Sequence, residues 1–297
     1  MINKTIFSIF KEGSKTYFYS SLFFPSVIKK EVFSLYAFVR KADNFVDSTP
    51  QNIQGFYDFK NDYYNALDGK KVNDVVINSF VKLSNEKDFN PKWTDAFLKS
   101  MEMDINKNGY ETLSETLEYI YGSAEVIGLF MSKIMNLPKK SYKYARFLGR
   151  AMQYINFTRD VAEDIKLGRI YFPNSDLNDF GLENLNYEYT NKNKEAFEGF
   201  LRKQLVRYCR WQHMAEEGYT FIPKRYLIPV KTASEMYNWT ADEIYKNPFI
   251  VYKLKVKPMI KQIFSKTILN IVDPRKPNKK KCICTKEDYD PQINYLY

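Results

Sequence analysis

The stretch Ser26-Val27-Ile28-Lys29-Lys30-Glu31-Val32-Phe33-Ser34-Leu35-Tyr36-Ala37-Phe38-Val39-Arg40-Lys41-Ala42-Asp43-Asn44-Phe45-Val46-Asp47 reveals the fold class through its period. Val32, Leu35, Phe38, Ala42 and Phe45 recur at three- and four-residue steps, which places them on one helical face. Outward from this stretch the period stays helical. Further helices are expected at about 52–68, 73–88, 91–106, 112–136, 139–165, 192–216, 231–247 and 249–271. Breaks are expected at Pro50, Asp68-Gly69, Asn90-Pro91, Asn108-Gly109, Pro138 and Pro173-Asn174, where turn chemistry interrupts the pattern. No alternating strands with hairpin dipeptides and no βαβ rhythm intervene. The expected fold class is all-α.

Composition agrees with a packed helical protein. Of 297 residues, 44% are hydrophobic and 27% charged, which argues for a sizeable core and against disorder. Only 11 Gly and 12 Pro are present, too few for a collagenous, linker-like or turn-dense all-β chain. The 24 Tyr and 23 Phe suit a thick core or a cavity with π-rich walls. Net charge is +10, which fits nucleic acid, an anionic membrane or a phosphorylated substrate without choosing among them. No basic–aromatic stripe accompanies a nucleic-acid motif, so no nucleic-acid partner is expected.

Three cysteines (Cys209, Cys282 and Cys284) cannot frame a secreted disulfide domain, and a reducing, cytoplasmic setting is expected. Cys282-x-Cys284 lacks a second ligand pair, and the lone His213 supplies none, which argues against zinc. Lys4, Lys11 and Glu12 interrupt the first apolar run, so no signal peptide is expected. Leu117 to Leu137, the most apolar region, carries Glu118, Glu125 and Lys133 and reads as a buried helix rather than a span. One domain over 1–272 is expected, followed by a basic and polar tail over 273–297. In that tail Arg275, Lys276, Lys279, Lys280 and Lys281 suggest a solvated terminus or a weak electrostatic contact at a membrane surface.

Two segments carry the chemistry. Asp43 and Asp47 are four apart and share one helical face, and Asp160 and Asp164 repeat that spacing. Gln153 and Asn156 extend the second polar ridge, and Arg40 and Arg159 flank the two pairs. A single pair reads most simply as a solvated face; two pairs, each beside an arginine, suggest a site. Without histidine or thiolate nearby the donor set is hard oxygen, which selects Mg²⁺, with Mn²⁺ as the substitute. Mg²⁺ binds through a few carboxylates plus substrate phosphates, and the arginines suit phosphate oxygens. No P-loop, dinucleotide fingerprint, nucleophile elbow or Ser-His-Asp set competes. A third segment, Tyr119 to Gly128, places Gly122, Ser123, Ala124 and Gly128 in a helical pattern, either for close packing or to widen a channel.

In this order and with these flanks the segments resemble the squalene and phytoene synthase family, the head-to-head trans-isoprenyl diphosphate synthases. The resemblance runs from about Ser14 to Lys261. It includes Ser14-Lys15-Thr16-Tyr17, Tyr36-Ala37-Phe38-Val39-Arg40-Lys41-Ala42-Asp43 with Asp47, Met103-Asp104 and Tyr121-Gly122-Ser123-Ala124. It continues with Asn156-x-x-Arg159-Asp160-Val161-x-Glu163-Asp164 and Gly168-Arg169-Ile170-Tyr171-Phe172-Pro173. The middle segment, Tyr226-Leu227-Ile228-Pro229 and Lys255-Val256-Lys257-Pro258 look most like microbial phytoene synthases. One departure is Gly13, where many members carry histidine or a similar residue before the position of Ser14.

The resemblance implies a single-domain isoprenoid-synthase-type helical bundle with a central cavity. It also implies a prenyl transferase of carotenoid biosynthesis that joins two geranylgeranyl diphosphates, through a cyclopropyl diphosphate, to phytoene. Asp43, Asp47, Asp160 and Asp164, with Asn156, would hold Mg²⁺, and Arg159, Arg40 and Lys15 would add fixed positive charge. Ser14, Gln153 and Asn156 would contact or orient diphosphate, metal or water. Tyr17, Tyr121 and Tyr237 would form cation-stabilising walls or transfer protons. Lys253, Lys255, Lys257 and Lys261 are candidates for late diphosphate-binding groups, Lys253 being the first choice. The alternatives are a squalene- or dehydrosqualene-type synthase using farnesyl diphosphate, or a non-catalytic relative acting in assembly. A class I terpene cyclase is disfavoured by Asp160-x-x-x-Asp164.

Overall fold

A computed structural model describes residues 2–275, and what it contains is helical. The N-terminal part comprises α1 (Lys4–Gly13), α2 (Lys15–Ser21), α3 (Ser26–Asp47), α4 (Ile53–Leu67), α5 (Val75–Lys87), α6 (Pro91–Asn106) and α7 (Leu113–Ile120). A π-helical turn, Tyr121–Glu125, leads into α8 (Val126–Ile134). Then follow α9 (Tyr142–Arg159), α10 (Val161–Lys166), α11 (Asn174–Asp179), α12 (Tyr187–Lys192) and α13 (Lys194–Glu216). The chain continues through α14 (Lys224–Lys246), α15 (Ile250–Lys253) and α16 (Ile260–Val272). Among the described residues the only strand-like pairing is an isolated bridge between Tyr110 and Pro173. No described helix is long and apolar enough to cross a membrane.

Local chemistry sets the boundaries. Asn52, Asp74, Asn90 and Thr112 accept backbone N–H bonds at the starts of α4, α5, α6 and α7, and Pro91 opens α6. α3 and α6 run as the pattern predicts. The expected helix 112–136 is interrupted by the π turn, and 139–165 is broken at Asp160, whose backbone (φ −100°, ψ 14°) leaves the helical region. Pro223 precedes α14, which starts earlier than expected and carries Pro229 inside it. The expected helix 249–271 divides into α15 and α16 around Pro258. The basic tail, beyond 275, lies outside the described residues. Cys209 is buried on α13.

Two aromatic-rich clusters form the core. In the first, Phe38 of α3 stacks on Phe80 of α5 at 3.9 Å, and Phe97 and Phe130 close around them. In the second, Phe157 of α9 stacks on Tyr171 at 4.4 Å, while Tyr154 meets Trp211 of α13 edge-on. The Tyr119–Gly128 segment lies against both neighbours, α6 and α9. A Cβ on Gly122 would sit 2.1 Å from the Ala96 carbonyl oxygen, so only glycine permits this approach. Glu125, buried in the π turn, accepts from Arg146 Nε at 2.7 Å and Arg150 Nε at 2.6 Å. Ser123, Ala124 and Gly128 also line a cavity, so this segment both packs closely and makes room.

Candidate active site

A cavity of about 740 Å³ opens among α2, α3, α6, the π turn, α8, α9, α10 and α14. Its inner walls are apolar, with Val32, Leu35, Phe97, Met131, Met135 and Leu148 among them, whereas its polar region gathers carboxylates and cations. Asp43 and Asp47 project from the last turns of α3. Asp160 occupies the junction of α9 and α10, and Asp164 sits in α10. The helix break does not disturb the second pair's register, because the Asp164 N–H still donates to the Asp160 carbonyl at 2.9 Å.

Each carboxylate has its own surroundings. Arg40 pairs with Asp43 one turn away. Arg159 grips Asp160 with two bonds, Nε to Oδ1 at 2.7 Å and Nη2 to Oδ2 at 2.6 Å, and Lys255 Nζ lies 3.3 Å from the same carboxylate. Lys255 also pairs with Glu163. Arg169 donates to Asp47 at 2.8 Å and to the Val46 carbonyl at 2.6 Å. Asp164 has no ion-pair partner among the described residues.

The electrostatics follow from this uneven sharing. Burial, reinforced by Asp47 and only partly offset by Arg40, pushes the Asp43 carboxyl up to about 7. Burial and then the charges of Asp160, Asp47 and Asp104 raise Asp164 well above the carboxylate range. Burial would raise Asp160 too, but the hydrogen bonds and charge of Arg159, with Lys255, hold it below the usual range. Burial, then the positive charges of Lys255 and Arg159, lower Lys257. The site therefore concentrates negative charge that its own cations balance at Asp160 but not at Asp43 or Asp164.

A hard divalent cation fits this donor set. The carboxyls raised by burial and by one another's charge are all-oxygen donors, and the buried Asn156 Oδ1 has no hydrogen-bond partner although Asn156 lines the cavity. Among the described residues no three acidic, His or Cys groups already converge on one point, since Arg40, Arg159 and Arg169 each hold a carboxylate.

Of the residues singled out in the sequence, Ser14, Tyr17, Arg40, Asp43, Asp47, Gln153, Asn156, Arg159, Asp160, Asp164 and Tyr237 all line this one cavity. Tyr17 and Tyr237 have ring centroids 5.8 Å apart, and the Tyr17 hydroxyl donates to Met152 Sδ at 3.4 Å. Lys15, Tyr121 and Lys253 do not line it. Lys15 is exposed on the first turn of α2, and the short α15 leaves Lys253 exposed. Lys255 and Lys257, on the extended stretch after α15, reach the cavity instead, while Lys261 is exposed on α16. In the π turn the Tyr121 ring faces the Arg146 guanidinium at 5.3 Å, and from this segment it is Tyr119, near the end of α7, that lines the cavity.

Sequence reading assigned no role to the support behind Asp47. Buried Asp104 accepts from the hydroxyls of Tyr119 and Tyr171, each at 2.7 Å, and Arg169 Nη1 lies 3.8 Å from it. Burial pushes Asp104 up to about 6, against the pull of Arg169 and the two hydroxyls. Asp104 and Arg169 stand in segments that carry the resemblance, but their convergence is tertiary and no spacing encodes it.

Comparison with known proteins agrees with this geometry. The family model described as squalene/phytoene synthase matches residues 10–261. A 15-cis-phytoene synthase of Pantoea ananas is 27% identical over 237 residues, covering 76% of this chain and 76% of its own. A chloroplastic phytoene synthase of an Oncidium hybrid cultivar is 26% identical over 81% of this chain, which spans 60% of that relative's length. Among solved structures, a dehydrosqualene synthase in complex with ligand superposes with a TM-score of 0.78 at 22% identity, covering 90% of this chain and 94% of its own. A squalene synthase from Alicyclobacillus acidocaldarius gives 0.72 at 18% identity, covering 82% and 92%. At these identities the structural likeness is one of fold.

Proposed function

The chain belongs to the squalene/phytoene synthase family, and from that premise we propose that it condenses two geranylgeranyl diphosphates head to head, through a cyclopropyl diphosphate, to phytoene. The observation that carries this reading is the pair of acidic segments, Asp43/Asp47 and Asp160/Asp164, on the polar side of one large apolar cavity. Mg²⁺, or Mn²⁺, held by these aspartates with Asn156 would supply Lewis-acid neutralisation of the departing diphosphate. Arg40, Arg159, Lys255 and Lys257 offer positive charge where negative charge develops on the departing diphosphate oxygens. The apolar walls hold the prenyl chains and keep water from the allylic cation. Tyr17 and Tyr237 present π faces to that cation. The complete acidic set favours an enzyme over a non-catalytic relative.

Purified protein with Mg²⁺ and geranylgeranyl diphosphate should release diphosphate. Asp43→Asn and Asp160→Asn should each lower that rate by at least about a hundredfold with the fold intact by circular dichroism. Normal turnover by both variants would remove the site assignment.

A further inference from the structure

Eight of the fourteen large apolar side chains exposed among the described residues lie in one short segment, Leu254 to Val272. On α16, Ile263, Thr267 and Asn270 face inward and are buried. The outer surface is apolar as well: Ile268 and Leu269 are each 60% exposed and Val272 81%, with Ile260, Phe264 and Ile271 beside them. Ile260, Phe264, Ile268 and Ile271 follow steps of four, four and three, so they form a stripe along one side. The Phe264 ring lies 5.9 Å from Phe23 and 6.0 Å from Tyr19, which continues the stripe onto α2 and the turn after it. Folded surfaces rarely leave so much contiguous apolar area uncovered without a partner.

The charge around the stripe selects that partner. Lys253, Lys257, Lys261, Lys266 and Arg275 lie in and around α16, and Asp273 is the one acid from Ile250 to Arg275. The chain leaves the described residues at Arg275, directly after the stripe, and its sequence continues with Lys276, Lys279, Lys280 and Lys281. An apolar helical face with a cationic border fits an interfacial helix on an anionic bilayer, the apolar side chains entering the acyl boundary and the lysines meeting lipid phosphates. On its other side α2 contributes Tyr17, Ser20 and Ser21 to the cavity wall, so the stripe lies one helix away from the cavity.

We propose that the outer face of α16, with Phe23, seats the protein on an anionic lipid surface. The seating goes beyond the catalytic reading and is tested without substrate, so the two stand or fall separately. The full chain should co-sediment with vesicles of phosphatidylglycerol and phosphatidylcholine in equal parts, and markedly less with phosphatidylcholine alone. Added salt should weaken the binding. Ile268→Glu with Ile271→Glu should weaken partitioning by at least about tenfold, and Lys261→Glu with Lys266→Glu should weaken it without removing any apolar side chain. Circular dichroism spectra and thermal unfolding should remain those of the wild type in both variants, which separates lost seating from lost folding. No binding to the mixed vesicles, or binding that both variants retain, would overturn the proposal. So would a dimer in sedimentation equilibrium that the Ile268/Ile271 variant dissolves, with no vesicle binding, since a second copy would then be the occupant.

Discussion

Arg169 ties the end of α3 to the acidic site. Its guanidinium holds the Asp47 carboxylate, the Val46 carbonyl and, at 3.2 Å, the Tyr171 hydroxyl, from a position only 3% exposed. The planar fork makes these bonds in fixed directions, which a lysine ammonium does not reproduce. Arg169→Lys should therefore leave the aspartates in place but poorly aimed, and the Mg²⁺ concentration for half-maximal rate should rise by about 10–100-fold. A wild-type Mg²⁺ response would show that Asp47 needs no such support. The acidic pairs were legible from spacing because i, i+4 carboxylates share a helix face whatever surrounds them. Arg169 and Asp104 acquire their roles only when segments far apart in sequence meet.

At the level of elements, the π turn and the α11–α13 contact depend on buried ion pairs. Glu125, 1% exposed, faces both Arg146 and Arg150, so Glu125→Ala should remove the carboxylate that the buried Arg150 pairs with and destabilise the fold by about 3–5 kcal/mol in denaturant unfolding. A loss below about 1 kcal/mol would mean that the π turn is held by packing alone. Asp176 of α11 pairs with Arg207 and, at 3.0 Å, with Lys203 of α13. Burial would raise its carboxyl, but the Arg207 hydrogen bond and charge outweigh that and hold it below its ordinary value. A carboxyl lowered on folding contributes stability that is complete above its unfolded pKa of about 3.9 and fades as pH falls through the lower folded value. Asp176→Asn should thus be less stable than the parent at neutral pH, with the gap narrowing below about pH 4. A gap that widened in acid would reverse this assignment. The helices α3 and α6 were legible because period and punctuation agree. The break at Asp160, the π turn and Pro229 inside α14 were not, because tertiary contacts there override local preference.

At the scale of the molecule, two aromatic cores enclose one cavity that is apolar within and charged along one side. The all-α class was legible in the period, but the cavity was not, since aromatic wealth suits a solid core equally well. Lys15, Tyr121 and Lys253 show the same limit, because the orientation of a side chain follows from packing rather than from its place in a motif. The central claim is a head-to-head condensation of two twenty-carbon chains. Its most direct test supplies labelled geranylgeranyl diphosphate and farnesyl diphosphate separately with Mg²⁺ and weighs the extracted hydrocarbon. The account predicts a forty-carbon product from geranylgeranyl diphosphate, abolished by a chelator. A thirty-carbon product from farnesyl diphosphate alone would contradict the substrate assignment, and no coupled hydrocarbon from either, with the protein folded, would contradict the reaction itself.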